Sequence, residues 1–214
     1  MAGMNRDKLI DAKEQWAREG RLLVPPPSTR RRLPPGQELV RDWPVLDLGT
    51  QPNLLPRDWR LTAGGLVATP IDWGWRDLAR QRLGESISDI HCVTSWSRFD
   101  NRWGGVAAAD FLAVVQPLPT ARFLRLRSYD GYGTTIPLDD FAAPGVMIAT
   151  HWDGQPLTRA HGGPVRLVVP QLYFWKSAKW LRHIWFTDRD APGYWEARGY
   201  HRRGDPWRQE RYRG

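Results

Sequence analysis

Two clusters in this chain carry residue types able to do chemistry. The first is Ile90-His91-Cys92-Val93-Thr94-Ser95-Trp96-Ser97, which contains Cys92, the sole cysteine of 214 residues. With no second thiol, an internal disulfide is excluded. The side chain is then either a small buried hydrophobe or a thiolate serving as nucleophile or soft metal ligand. The second cluster runs from His161 through Gly162-Gly163-Pro164-Val165-Arg166-Leu167-Val168-Val169-Pro170 to Lys176-Ser177-Ala178-Lys179-Trp180. Arg166 sits inside an apolar run, where a guanidinium is costly unless it meets an anion. Lys176, Ser177 and Lys179 follow in a short connector. Arginine, hydroxyl and ammonium groups converging with backbone N–H groups make an anion cradle. A core carboxylate paired with Arg166, plus two surface lysines, accounts for the same residues, so residue chemistry alone leaves both readings open.

Other constellations are missing from the sequence. There is no Walker lysine loop and no Rossmann glycine fingerprint. Gly-x-Ser-x-Gly, Cys-x-x-Cys and His-Glu-x-x-His are also missing. One cysteine cannot ligate an iron–sulfur cluster. A papain-like enzyme needs a histidine beside Cys92, but adjacent residues on a strand point to opposite faces, which disfavours His91. Nothing local selects among His151, His161, His183 and His201.

The chain is 41% hydrophobic and 25% charged, the composition of an ordinary globular domain. The net charge of +8 and the 13 tryptophans raise an alternative, a basic Trp-rich nucleic-acid-binding domain without catalysis. Most of the tryptophans lie in apolar or turn-rich contexts, which points to packing and makes nucleic acid the lesser expectation. The positive charge can instead neutralise a phosphorylated cofactor. Residues Met1 to Arg21 show no export core, and no apolar run approaches the roughly 18 residues of a membrane helix. The expectation is a cytoplasmic protein with no membrane partner.

Periodicity places a mostly solvated helix over Asp7–Glu19. Val24-Pro25-Pro26-Pro27 and Leu33-Pro34-Pro35-Gly36 then break regular structure. Residues 1–40 are expected to form a helix and Pro-rich arm, and residues 41–214 the functional domain. Strands are expected over Val45–Gly49, Trp59–Val67, Asp89–Trp96 (with Cys92 near its middle or end), Arg122–Ser128, Val146–His151, Val165–Pro170 and Trp180–Asp188. Helices are expected over Ile71–Leu83 and Ala107–Val115. Many short strands with a few helices and no regular β-α-β alternation argue for an α+β fold.

The run Gly-Gly-Pro-Val-Arg-Leu-Val-Val-Pro over residues 162–170, followed by Lys-Ser-x-Lys-Trp over 176–180, resembles the pyranopterin-binding signature of the sulfite oxidase family. That family includes the catalytic subunit of the bacterial periplasmic methionine sulfoxide reductase. Asp130-Gly131-Tyr132 and Ile136-Pro137-Leu138-Asp139-Asp140 resemble the family's intervening loop, and Cys92 matches its metal-ligating thiolate. The likeness runs from Pro44 to Ile184, and the remainder looks like the tail of a short cytoplasmic subgroup. The resemblance implies a single sulfite oxidase-type domain of mixed β-sheets with a few short helices. It implies a Mo-molybdopterin (pyranopterin) cofactor and two-electron oxygen-atom transfer on a small oxo or sulfur substrate. It also implies a separate electron donor or acceptor. Carried over by position, Cys92 is the thiolate on molybdenum, and Arg166 meets the phosphate or the pterin. Ser177, Ala178 and Lys179 wrap the phosphate, and Ser128 contacts the cofactor. His161 stands where the periplasmic reductase has an asparagine. Leu46 and Asp47 stand where it has an aromatic residue and a glutamate. His91 is a candidate contact to the pterin. Arg98, with Trp96 and Trp103, is expected at the substrate mouth, where a cation would attract an oxyanion.

Overall fold

The structure, a computed structural model, describes Gln15, Glu19–Gly20, Leu22–Leu23 and residues 31–213. The helix expected over Asp7–Glu19 and the run Pro25-Pro26-Pro27 lie almost wholly outside the described residues. The strands, in chain order, are β1 (Leu22–Leu23), β2 (Glu38–Val40), β3 (Arg60–Gly65), β4 (Ile71–Gly74), β5 (Leu83–His91) and β6 (Trp96–Ala107). They continue with β7 (Phe123–Ser128), β8 (Gly133–Pro137), β9 (Met147–Trp152), β10 (Gln155–Pro156), β11 (Arg166–Val168) and β12 (Leu181–Thr187). Three short helices interrupt them: α1 (Trp75–Ala79), α2 (Ala108–Val115) and α3 (Leu138–Phe141).

Two sheets result. One has seven strands along β1-β2-β6-β9-β10, with β5 pairing β6 and β11 pairing β9. The other has five in the order β4-β3-β12-β7-β8. In the second, β12 lies parallel to β3 and antiparallel to β7, so the sheet is mixed. The alternation read in the sequence is visible in β7: Leu124, Leu126 and Ser128 are buried, and Arg125 and Arg127 are exposed. The main core gathers Trp59, Leu61, Phe111, Leu124, Ile148, Leu167 and Phe186. A second cluster surrounds Cys92 with Trp43, Trp96, Trp103, Tyr173, Trp175 and Tyr200. Trp59, Trp96, Trp103 and Trp180 are fully buried, so much of the aromatic excess is packing.

The expected elements needed correction in four places. Val45–Gly49 forms no strand; it has no ladder partner and bends at Leu48 and Gly49. Ile71–Leu83 is not one helix. Ile71–Gly74 pairs with β3, with Leu61 opposite Trp73, and only one turn of helix follows before β5 begins. There, cross-strand pairing of Ile71 and Trp73 outweighs the helical spacing. β5 ends at His91, so Cys92 opens the turn into β6 and does not lie within a strand. The long strand β6 was not among the expected strands; it runs through Asp100, Asn101, Gly104 and Gly105, residue types that strands disfavour. Asp100 (φ 55°) and Gly105 (φ 158°) do leave extended geometry, yet the ladder with β5 continues past both. The arm also joins the body: β2 runs parallel to β6, with Glu38 opposite Trp96, so a boundary at residue 40 would fall within the sheet.

Candidate active site

The hairpin between β5 and β6 presents Cys92. Its turn is closed by Cys92 N–H to the Trp96 carbonyl at 2.8 Å and Ser95 N–H to the Cys92 carbonyl at 3.0 Å. Ser95 adopts φ 73°, the left-handed step that tightens the turn. Gln37, just before β2, donates to the Cys92 carbonyl at 3.1 Å and accepts from Ser97 Oγ at 3.2 Å. Ser97 Oγ in turn meets His91 Nδ1 at 2.8 Å. A chain of side-chain bonds thus braces the turn from behind. The thiol faces the other way, into a cavity of about 280 Å³. Sγ accepts a bond from Thr94 Oγ1 at 3.1 Å, and burial pushes the thiol pKa up.

Arg166 enters the same cavity from the start of β11 and is 1% exposed. Its donors go to backbone carbonyls only: Nη1 to His161 and Nη2 to Ser177, both at 2.8 Å, and Nε to Leu167 at 3.3 Å. Its plane lies 4.4 Å from the Phe174 ring centroid and 5.1 Å from that of Trp43. Among the described residues, the carboxylate pairing left open by the sequence does not occur. A guanidinium has five N–H groups, so two remain for a ligand. Burial alone pulls its pKa down to about 9. Lys179 also borders the cavity, donating to the Ala160 carbonyl at 2.7 Å, and burial brings its pKa down to about 8. Both groups remain cations at neutral pH. Ser177 places its Oγ under the Val169 N–H at 2.9 Å. Two further buried atoms on the cavity wall, Ser128 Oγ and Trp96 Nε1, have no hydrogen-bond partner.

Of the residues singled out in the sequence, Cys92, Leu46, Asp47, Ser128, Arg166, Ser177 and Lys179 all border this cavity. Ala178 lies between two of them but packs into the core, its carbonyl accepting from Leu167 N–H. His161 stacks on Trp43 at 4.0 Å and bonds the Trp43 carbonyl at 3.2 Å, behind the wall. His91 backs the turn, its pKa lowered to about 4 by burial. Arg98 is not at the mouth. Its guanidinium reaches Asn101, Asp153 (3.2 Å) and the Arg41 carbonyl (3.2 Å), and lies over the Trp152 ring. These partners hold it away from the cavity, whose lining it does not join. Lys176 leaves the cradle as well: it is fully buried against Glu196 at 2.5 Å and the Thr135 carbonyl at 2.7 Å.

Sequence reasoning missed the aromatic lining of Trp43, Phe174, Trp175 and Trp195. Trp175 beside Lys176 was its one local signal. Tyr200, from the tail, also lines the cavity; burial raises its pKa to about 12, so it keeps its proton. Among the described residues, no group of three or more His, Cys, Asp or Glu side chains could hold a metal ion. A metal at Cys92 would draw its other donors from a bound cofactor.

Residues 48–195 match the family described as oxidoreductase molybdopterin binding domain. Over 182 residues the chain is 45% identical to "Uncharacterized oxidoreductase YuiH" of Bacillus subtilis (strain 168), covering 85% of this chain and 92% of that one. Over 159 residues it is 30% identical to the protein-methionine-sulfoxide reductase catalytic subunit MsrP of Ralstonia nicotianae, covering 67% of this chain. The matched stretch spans 48% of that reductase. Among solved structures, the sulfane dehydrogenase SoxCD from Paracoccus pantotrophus shares the fold, with a TM-score of 0.59 at 23% identity over 65% of this chain and 40% of that one.

Proposed function

This chain belongs to the molybdopterin-binding oxidoreductase family and takes Mo-molybdopterin as its cofactor, and on that premise we propose that Cys92 ligates molybdenum in a two-electron oxygen-atom transfer. One observation carries the reading: the chain's only thiol shares a single cavity with a buried guanidinium that has no acidic partner among the described residues. A phosphorylated, sulfur-bearing cofactor fits this donor set. Arg166 and Lys179 supply the charge for its phosphate. Ser128 Oγ and Trp96 Nε1, both buried without partners, supply hydrogen bonds for its ring. Thiolate is a soft donor suited to a metal already held by sulfur.

When bound, the molybdenum supplies a two-electron redox couple. Cys92 would hold the metal as its thiolate, whose charge the metal would stabilise against the upward pull of burial on the thiol pKa. The Thr94 hydroxyl then bonds the sulfur and fixes its direction. Trp43, Phe174 and Trp175 give the cavity an apolar wall, beside which charge interactions are stronger than in water. Tyr200, from the tail, closes part of the same wall, its ring packed against Trp175 and Trp195. A lone cysteine permits no iron–sulfur relay, so electrons are exchanged with a separate donor or acceptor. The substrate is a small oxo or sulfur compound, and the setting is cytoplasmic. The test is turnover of the cofactor-loaded chain with artificial electron donors and acceptors. One oxo substrate consumed or formed per two electrons supports the proposal. No turnover of sulfoxides, N-oxides or sulfite in either direction would sink it.

A further inference from the structure

The second sheet carries a groove that neither the cofactor nor the proposed reaction uses. We propose that this groove, formed around Arg125, Arg127, His183, Trp185 and Tyr194, binds a phosphorylated planar aromatic ring, that is, a mononucleotide. The pairing register builds it. On β12, His183 stands opposite Arg127 of β7, and Trp185 opposite Arg125. All four side chains therefore rise from one face of the sheet.

Trp185 is the aromatic floor. It is 56% exposed, an unusual state for an indole in this chain. A Cβ placed on Gly64, or one on Gly65, would stand 3.0 Å from its ring, so the indole rests against bare β3 backbone. Those two glycines let it lie against the sheet and leave its other side to solvent. A planar ring stacks on such a platform.

The two arginines supply the charge. Arg60, Arg98 and Arg203 are each paired with a carboxylate. Arg125 and Arg127, by contrast, have no ion pair or side-chain hydrogen bond with any described residue. They stand two residues apart on the same strand face, about 7 Å along the strand, where like charges repel. No carboxylate lines the groove; Glu196, which accepts from Thr134 of its wall at 2.7 Å, is buried and paired with Lys176 at 2.5 Å, and Asp72 is held by Arg60 at 2.7 Å. A phosphate between the guanidiniums removes the repulsion and gains charge-assisted hydrogen bonds. The same charge disfavours a second copy of the chain on this face.

Size and shape select a single nucleotide over a nucleic-acid strand. The groove holds about 450 Å³. Its far end is walled by Pro192–Tyr194, pinned to the β8 edge by Tyr194 N–H to the Gly133 carbonyl at 2.7 Å. The wall also places the ligand beside the cofactor. Tyr194 faces the groove, and Trp195, its ring 5.0 Å away, faces the cavity of Cys92. The β7–β8 turn is likewise shared, with Ser128 on the cavity side and Gly131 on the groove side.

The test is titration of the purified full chain with FMN, followed by flavin fluorescence, with riboflavin, AMP and a short oligothymidylate alongside. Saturable FMN binding is expected, at least about tenfold weaker for riboflavin, which lacks the phosphate. Trp185→Leu is expected to weaken FMN binding about tenfold, the scale of one lost stacking contact. Arg125→Glu with Arg127→Glu should weaken it more and abolish the preference over riboflavin. All of these substituted side chains are exposed or half-buried, and molybdenum content, measured in parallel, should stay at the wild-type level. FMN binding that is unsaturable, or unchanged in both variants, would overturn the inference. So would binding of the oligonucleotide with neither mononucleotide retained. A chain lacking molybdenum but binding FMN through Trp185 would refute the proposed function and leave this site standing.

Discussion

Replacing Arg166 with methionine separates its two roles. Burial brings the guanidinium pKa to about 9, against an ordinary value above 12. At about 1.4 kcal/mol per power of ten, a fall of about three and a half powers of ten makes the charged form cost roughly 5 kcal/mol in the folded, cofactor-free chain. Below pH 9 the group is charged in both folded and unfolded states, so the full cost applies at neutral pH. Against it stand three bonds to the carbonyls of His161, Leu167 and Ser177. Each is worth about 1.5 kcal/mol when the donor is charged. Methionine fills a similar volume and removes both contributions. The cofactor-free Arg166→Met chain should therefore unfold in urea within about 1 kcal/mol of wild type. Cofactor retention should behave differently. Losing one member of a buried charge pair costs about 2–5 kcal/mol, so affinity should fall at least about 30-fold. Molybdenum content after dialysis, set beside the urea midpoint, gives both numbers. Wild-type retention, or a loss of about 3 kcal/mol in the cofactor-free chain, would refute the assignment of Arg166 to the anion.

Three other substitutions probe the surrounding structure. The folded His91 imidazole takes a proton only near pH 4, whereas the unfolded one does so near 6.5. The unfolded chain therefore binds more protons between these values, and stability present above pH 6.5 should fall by about 3 kcal/mol as pH drops to 4. His91→Gln should flatten that slope in urea titrations. Lys176→Met leaves Glu196 charged and buried, with Oε2 already lacking a partner, and should cost about 3–5 kcal/mol of unfolding free energy. The double variant Lys176→Met with Glu196→Leu should recover most of the loss of melting temperature. Arg98→Ala should leave molybdenum content and turnover within about twofold and cost about 1 kcal/mol, the scale of a near-surface ion pair.

That Arg166 needs a partner was legible in the sequence, because one cation in an apolar run is energetically conspicuous, but residue chemistry left an anion and a core carboxylate equally open and the family resemblance chose between them. Cys92 was legible only through family resemblance, since a lone thiol on its own fits a hydrophobic core equally well. Arg98 shows the limit of sequence proximity. Six residues after the thiol, it does not join the cavity lining, because Asn101, Asp153 and the Arg41 carbonyl hold its guanidinium, partners that local spacing does not encode. Lys176 misled for a related reason: its partner Glu196 comes from the tail, a pairing no local spacing encodes. The fold class followed from strand alternation, visible in β7 and β12. The elements that went unread, β6 and the split of Ile71–Leu83, are those where bulges and cross-strand pairing override local propensity.

The central claim is that the Cys92 sulfur is bonded to molybdenum. Molybdenum K-edge X-ray absorption on the loaded chain and on Cys92→Ser tests it directly. Wild type should show one more sulfur neighbour at molybdenum than the serine variant, with the pterin phosphate still held by Arg166 and Lys179. An identical sulfur shell in the two proteins, at equal molybdenum content, would contradict the account.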